Sequence, residues 1–388
     1  MKQEQRIYLD HAAATPLDPR VFSAMREVRG VFANPNSQYS EGRQARNAYE
    51  AAKKRLATTL NVRASEIVIT SGATESDNLA ILGSVRPNLA QGAHVVSLAT
   101  EHKSVLMPLE QLRREGAKVD FAAVDAAGVV DLARLEKSIG ESTVLVSISY
   151  ASSEFGTIQP MAKIKSIIDR VKKKRVEQGS LTPLLLHSDC SAVAGLLPLS
   201  PARLGLDFMT LNPAKFYGPH GVGILFVKAG TVLSPIMYGG GQQYGLRPGS
   251  EDVASVVGAA CALELVESER ELESRRLSAL RDEIIRGLEA IQPNMQLNGH
   301  STKRLANNIH ISLQGVNGED LVAKFDAHGI AVSTGAACAA ADEEPSHALL
   351  ALGLSRELAQ GSVRITLGKL TTQQKVQKFL QVAERILG

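Results

Sequence analysis

Eight residues, Ser71-Gly72-Ala73-Thr74-Glu75-Ser76-Asp77-Asn78, follow an apolar run at 66–70. The pattern predicts a strand ending at Thr70, a turn of small residues, and a helix that opens at 74–82. Backbone N–H groups at a helix start lack partners, and beside a glycine and a hydroxyl they can bind an anion. A Ser/Thr-capped helix without a ligand is the other reading of such a turn. Lys215 stands in Asn212-Pro213-Ala214-Lys215-Phe216-Tyr217-Gly218-Pro219. That places it between a strand end and a Tyr-Gly-Pro turn, positioned for chemistry unless it is an ordinary surface lysine. Asp189 closes the run 184–189. A carboxylate there either pairs with a cation or caps a helix. His102 follows another strand end and can stack on a ring or move protons near neutral pH, or it is a polar loop residue. Cys338 lies in Ser333-Thr334-Gly335-Ala336-Ala337-Cys338-Ala339-Ala340-Ala341, where small neighbours leave a thiol accessible. An Ala-rich helix start with an incidental cysteine is the alternative.

The elements that must position these residues alternate. Apolar runs at 66–70, 94–99, 119–124, 143–150, 183–189, 208–212 and 221–228 predict seven strands. Helical patterns at 105–114, 131–139 and 161–175 separate several of them. Such alternation predicts an α/β fold, a mostly parallel sheet covered on both faces, with ligands at the carboxyl ends of its strands. Ser71, His102, Ser153, Asp189 and Lys215 all follow strand ends. Beyond 253 the texture changes to a charged helical stretch at 265–291, then strand-like 308–313, helical 318–327, strand-like 330–334 and 363–367, and a helix at 371–387. The division expected is a large domain over 15–255 and a smaller α+β domain made of 1–14 and 256–388, which carries the cysteine stretch.

Composition bounds the function. The chain has 388 residues, 44% of them apolar and 21% charged, as in an ordinary globular protein. A net charge of +3 is too small to make nucleic acid a main partner. No apolar run reaches the length of a membrane span. Residues 1–6 are polar, unlike a signal peptide, so the expected location is the cytoplasm. The three cysteines, Cys190, Cys261 and Cys338, are far apart, which argues against a metal site and a disulfide framework. Cys261 is expected to be a buried small hydrophobe and Cys190 to line a site. The run Lys172-Lys173-Lys174-Arg175 reads as a solvated face near a helix end.

The ordered motifs resemble the cysteine desulfurases, pyridoxal-phosphate enzymes of the class V aminotransferase group. The resemblance runs from Tyr8-Leu9-Asp10-His11-Ala12-Ala13-Ala14-Thr15-Pro16 to Thr371-Thr372 and includes the 71–78 stretch, Asn34-Pro35-Asn36-Ser37, Glu101-His102-Lys103, Tyr217-Gly218-Pro219, Gly239-Gly240-Gly241, Arg247-Pro248-Gly249-Ser250, Asn307-Asn308, Glu344-Pro345-Ser346 and Gly361-Ser362-Val363-Arg364. It implies a fold-type-I enzyme in which Lys215 carries the cofactor as a Schiff base and Asp189 holds its ring nitrogen protonated. It further implies that His102 stacks on the ring, that Ala73 and Thr74 hold the phosphate, and that Ser250 of a second subunit adds a hydroxyl. Arg364 would clamp the substrate carboxylate, Asn34 would help to bind substrate, and Cys338 would be the nucleophile. The activity implied is removal of sulfur from L-cysteine, giving L-alanine and a persulfide on Cys338. The spacing from Cys338 to Pro345 resembles the branch that favours cysteine and protein acceptors.

Five residues depart from the family pattern. Ala214 replaces a histidine before the lysine, and Asn212 replaces a serine or threonine three residues before it. Ala192 replaces a glutamine, and Ser152-Ser153 replace an asparagine pair before Glu154. Asn212, Ser153 and Ser191 are the expected substitutes in cofactor binding. A basic, polar insertion is expected at 171–183. The sequence ends at Gly388 without the tail that in some members docks an iron–sulfur scaffold. The partners implied are a sulfur-acceptor protein, scaffold or relay, serving iron–sulfur cluster assembly or tRNA thiolation, and a second copy in a homodimer. A selenocysteine lyase, another class V enzyme, or a catalytically weakened sulfur-relay subunit are the alternatives.

Overall fold

The computed structural model describes residues 6–335 and 344–388. The strands in chain order are β1 (Ile7–Tyr8), β2 (Ile67–Thr70), β3 (His94–Leu98), β4 (Lys118–Ala122), β5 (Thr143–Ser147), β6 (Leu185–Asp189), β7 (Phe208–Leu211), β8 (Gly223–Val227), β9 (Gln296–Leu297), β10 (Asn308–Ser312), β11 (Ile330–Ala331) and β12 (Ser362–Thr366). Seven form one sheet in the order β2-β8-β7-β6-β5-β3-β4. The pairs β7–β6, β6–β5, β5–β3 and β3–β4 are parallel, and β8 runs antiparallel to both its neighbours. The expected seven-stranded, mostly parallel α/β fold is therefore found. All five residues of β3 and of β5 are buried, as strands covered on both faces must be.

Each face has its own core. On one side the helix Ala73–Val85 brings Leu79, Ile81 and Val85 against Val68, Val95, Leu145 and Phe208. On the other, Leu56, Ile164 and Leu263 meet Ile69, Leu186 and Met209. A further core gathers Ile7, Leu9, Ile284, Ile309, Ile365 and Phe379 around the small sheet β12-β10-β9 and the β1–β11 pair. The helix Val253–Ile291 joins the two bodies: Val256 and Leu263 belong to the large core and Leu277 and Ile284 to the third. The charged pattern at 265–291 is its second half, which buries Leu277, Leu280, Ile284 and Leu288 and, Arg281 apart, keeps its charged residues at least partly exposed.

Three local expectations are corrected. The helix Met161–Glu177 extends two residues past 175, so part of the presumed insertion loop is helical. Its basic run is not a uniformly solvated face. Arg175 is buried and donates to the carbonyls of Gly140, Thr143, Thr182 and Pro183, and Lys172 pairs with Asp207 at 2.9 Å. Cys261 is half-buried rather than buried, whereas Cys190 is buried.

Candidate active site

The carboxyl ends of β2, β3, β5, β6 and β7 open on one cavity of about 620 Å³. Ala73, Thr74, His102, Ser153, Asp189, Asn212, Lys215 and Arg364 line it. These come from widely separated chain positions; all but Arg364 meet because the main sheet places its strand ends on one edge, and Arg364 reaches the cavity from β12 of the small antiparallel sheet. Two expected residues do not join them. Asn34 and Ser250 are exposed and lie outside the cavity walls of this chain. Cys338 lies outside the described residues; Gly335 and Glu344, which flank that stretch, both line the cavity. Cys190, expected at a site, is sealed beneath the sheet edge instead.

Lys215 ends the single turn Pro213–Lys215 after β7. Asn212 caps that turn by accepting from Ala214 N–H at 3.2 Å, which leaves its amide NH₂ as a donor. Lys215 Nζ donates to the carbonyls of Ala12 and Ala13 at 2.8 and 2.5 Å. Two residues on, Tyr217 takes a left-handed backbone with φ of 64°. Its N–H donates to Thr15 Oγ1 at 2.6 Å and its hydroxyl accepts from Lys369 N–H at 2.8 Å, so surrounding contacts hold the strained turn.

The cavity fits pyridoxal phosphate at two ends. Helix Ala73–Val85 begins after Gly72 with no side-chain cap, so its first amides, at Ala73 and Thr74, face the cavity as anion donors. At the other end is Asp189. Burial, reinforced by Asp77, pushes its carboxyl up to about 6, although Ser191 N–H donates to Oδ1 at 2.8 Å. A carboxylate so placed is suited to a cationic ring N–H, which would repay part of its desolvation.

His102 caps the helix Lys103–Arg114. Its Nδ1 accepts from Ser104 N–H at 3.0 Å and stands 2.7 Å from Ser104 Oγ, which donates to Asp77 Oδ2 at 2.6 Å. Burial lowers the imidazole pKa, Asp77 opposes this, and Lys215 lowers it further. Arg364 is buried on β12. Its Nη2 pairs with Asp10 at 2.9 Å, and Nε has no partner among the described residues, leaving a donor for a carboxylate.

Glu101, expected at a strand end, and Glu154 join the wall, although the sequence reading gave neither a role. Glu101 is buried, and burial pushes its carboxyl up to about 8 although Ser149 donates to it through N–H and hydroxyl. Glu154 faces the buried His310 across 3.9 Å. Burial also raises the Glu154 carboxyl and holds the His310 imidazole down at about 3. Gly335, with φ of 90°, packs where an added Cβ would lie 2.9 Å from His310 Nε2. Adjacency to Arg364 on the paired strand, at register His310↔Arg364, is the only signal that could have found His310, and it requires the strand pairing.

Comparisons agree with this architecture. The family model for class V aminotransferases matches residues 7–379. The chain is 38% identical over 388 residues to the cysteine desulfurase IscS of Dictyoglomus turgidum, spanning 100% of this chain and 95% of that one. A solved NifS-like protein superposes with a TM-score of 0.90 at 34% identity, covering 99% of both chains. The structure described as SspA in complex with cysteine superposes with a TM-score of 0.79 at 30% identity, over 93% of this chain and 98% of that one.

Proposed function

Because this chain belongs to the class V aminotransferase family and is a pyridoxal-phosphate-dependent cysteine desulfurase, we propose that it removes sulfur from L-cysteine with Lys215 as base and Cys338 as nucleophile. The observation that carries the residue assignment is the convergence of Lys215, Asp189, His102 and Arg364 on one cavity with uncapped helix amides. When bound, pyridoxal phosphate withdraws the electron pair left at the substrate Cα.

Each residue then has a defined task. The amides of Ala73 and Thr74, with the Asn212 amide group, hold the phosphate. Asp189 holds the ring nitrogen protonated and His102 covers the ring face, while Ser153, also in the wall, accepts from Arg364 Nη1 through its carbonyl at 3.3 Å. Arg364 binds the cysteine carboxylate through its unpartnered Nε, next to the arm engaged by Asp10. Lys215 takes the Cα proton at Nζ and later returns a proton to carbon. The Cys338 thiolate attacks the substrate sulfur. The new S–S bond forms as the substrate Cβ–S bond breaks, its electron pair goes to carbon, and protonation gives alanine. Cys338 keeps the sulfur as a persulfide for an acceptor protein, scaffold or relay, in cytoplasmic sulfur trafficking such as iron–sulfur cluster assembly or tRNA thiolation. Alanine and sulfide released from cysteine in the presence of a thiol reductant test the reading. Alanine without equivalent sulfur transfer would reject it.

A homodimer completes the site in this reading. Phe32 and Tyr39, on the segment that carries Asn34, and Tyr238 and Tyr244, on the segment that carries Ser250, are exposed, aromatic surface suited to burial against a second copy. Light scattering is expected to give twice the chain mass, and Ser250→Ala to loosen cofactor retention without dissociating the dimer. An active monomer would contradict both.

The two alanine departures are expected to behave differently. Ala192 lines the cavity, so Ala192→Gln can reach the cofactor and should lower its Kd roughly fivefold, as for one hydrogen bond of about 1 kcal/mol. Ala214 is buried outside the cavity wall, so Ala214→His must displace packed neighbours at a cost of about 1–3 kcal/mol. Cofactor titration and thermal melting of each single variant check the contrast.

A further inference from the structure

Among the described residues three histidines line the cavity, and fixed backbone groups decide which nitrogen of each is free. His102 Nδ1 accepts from Ser104 N–H at 3.0 Å, so the neutral ring carries its proton on Nε2 and offers the cavity no lone pair. His11 Nδ1 donates to the Thr366 carbonyl at 3.0 Å, because a carbonyl only accepts. Its Nε2 is bare but sealed, without a partner and packed against Gly368. His347 is the third. Its Nε2 donates to the Glu101 carbonyl at 2.9 Å, which fixes the proton there and leaves the lone pair on Nδ1. That Nδ1 has no hydrogen-bond partner among the described residues and, unlike Nε2 of His11, stays accessible.

The place of His347 matters as much as its tautomer. It opens the helix His347–Ala351 directly after Glu344-Pro345-Ser346, on one flank of the stretch that carries Cys338. Gly335, on the other flank, also lines the cavity. Glu154 stands between the two flanks. Ser346 hydrogen-bonds to its carboxyl, and its Cγ lies 3.1 Å from where a Cβ on Gly335 would stand. Its charge interacts with both His347 and Arg364, and Arg364 Nη1 points to the Gly335 carbonyl at 3.4 Å. A cysteine whose carboxylate sits at Arg364 is therefore bound at the His347 end of the cavity.

We propose that His347 is a further catalytic residue, whose bare Nδ1 takes the proton of the substrate thiol and delivers it to the substrate Cβ. The inference rests on the reading above that Cys338 attacks that sulfur. As the Cys338 thiolate forms the S–S bond, the Cβ–S bond breaks and its electron pair goes to carbon. The S–H proton passes to Nδ1 and from Nδ1 to Cβ, where it completes the methyl group of alanine. Cys338 keeps a persulfide anion, so atoms and charge balance without another reactant. Sulfur and Cβ are bonded neighbours, which lets one ring nitrogen serve both. The other bases of the cavity are committed: Lys215 works at Cα, and the neutral His102 ring can only donate into the cavity. The titratable groups that face His347 are Glu154, from the loop after β5, which favours its charged form, and His102, at the start of the helix Lys103–Arg114, which opposes it.

Holoenzyme carrying His347→Gln or His347→Ala tests it. Glutamine puts an amide N–H near the place of Nε2 and can keep the bond to the Glu101 carbonyl, but it supplies no base. Both variants are expected to release alanine from cysteine roughly a hundredfold more slowly, while exchange of the Cα proton in D₂O stays within about threefold of the wild type. Added imidazoles should restore alanine release by His347→Ala, at rates that rise with the basicity of the imidazole. A structural residue would show neither the split between the two steps nor that dependence. Normal turnover in His347→Gln would mean that only the anchoring bond matters and would overturn the proposal. So would Cα exchange that falls in step with alanine release, or a rescue that is absent or indifferent to basicity. Wild-type holoenzyme that releases no alanine would reject the desulfurase reading itself, and the role of His347 with it; an active wild type beside an equally active His347→Gln rejects the role of His347 alone.

Discussion

Lys215→Ala is expected to reduce alanine release from cysteine by roughly a thousandfold or more while leaving the chain folded. On the proposed assignment two functions would be lost together: the amine that holds the cofactor covalently and the base that takes the Cα proton. The structural cost is small by comparison. Lys215 Nζ donates to the carbonyls of Ala12 and Ala13, and both residues line the cavity, where water can replace the ammonium. Each exchanged hydrogen bond contributes about 1 kcal/mol. Borohydride treatment followed by peptide mass analysis should mark Lys215 in the wild type and no lysine in the variant. Lys215→Arg should fail as completely, because a guanidinium stays protonated and cannot serve as a base. A borohydride-stable adduct on another lysine, or turnover retained in Lys215→Ala, would overturn the assignment.

The physical reason that Lys215 could be found in the sequence is the turn around it. A strand, an Asn-Pro start and a Tyr-Gly-Pro exit leave one lysine at a strand end, and the structure puts it there. The same holds for Asp189 at the end of β6 and for Ala73 and Thr74 after β2. Period and turn chemistry are local properties, and all seven strands of the main sheet were legible from them. What depends on side chains converging from distant segments was not. Ser104 looks like an ordinary first-turn serine until Asp77 is brought opposite it. His310 looks like one of three polar residues alternating with Ile309 and Ile311 until Glu154 and Gly335 close on it. β1 is two residues long, too short for any periodic signal, yet its pairing with β11, expected within 330–334, carries Asp10 to Arg364. The expected site residues that stay outside the cavity, Asn34 and Ser250, lie on the exposed surface of this chain.

Cys338→Ala separates the two halves of the reaction. Lys215, Arg364 and His102 lie in the described walls of the cavity, and none of their contacts requires a thiol. Cysteine should therefore still bind, and Lys215 should still exchange the Cα proton with solvent. In D₂O, cysteine recovered from the variant is expected to carry deuterium at Cα at a rate within about tenfold of the wild-type turnover, since the proton-transfer machinery is intact. Sulfur transfer is a different matter. The substrate Cβ–S bond breaks only when another sulfur accepts the leaving atom, so alanine and protein-bound sulfur should both fall by roughly a thousandfold or more. Cys190 cannot substitute: it is fully buried, and burial raises its thiol pKa far above neutrality, which removes the thiolate needed for attack. Cys261 is only half-buried, but it lies on the helix Val253–Ile291 outside the cavity wall, and its thiol pKa is also raised by burial. Label from ³⁵S-cysteine should accordingly appear on the peptide containing Cys338 in the wild type and on no peptide in Cys338→Ala. Deuterium exchange lost together with sulfur transfer would show that Cys338 serves the proton step as well. Sulfur transfer retained in the variant would place the nucleophile elsewhere.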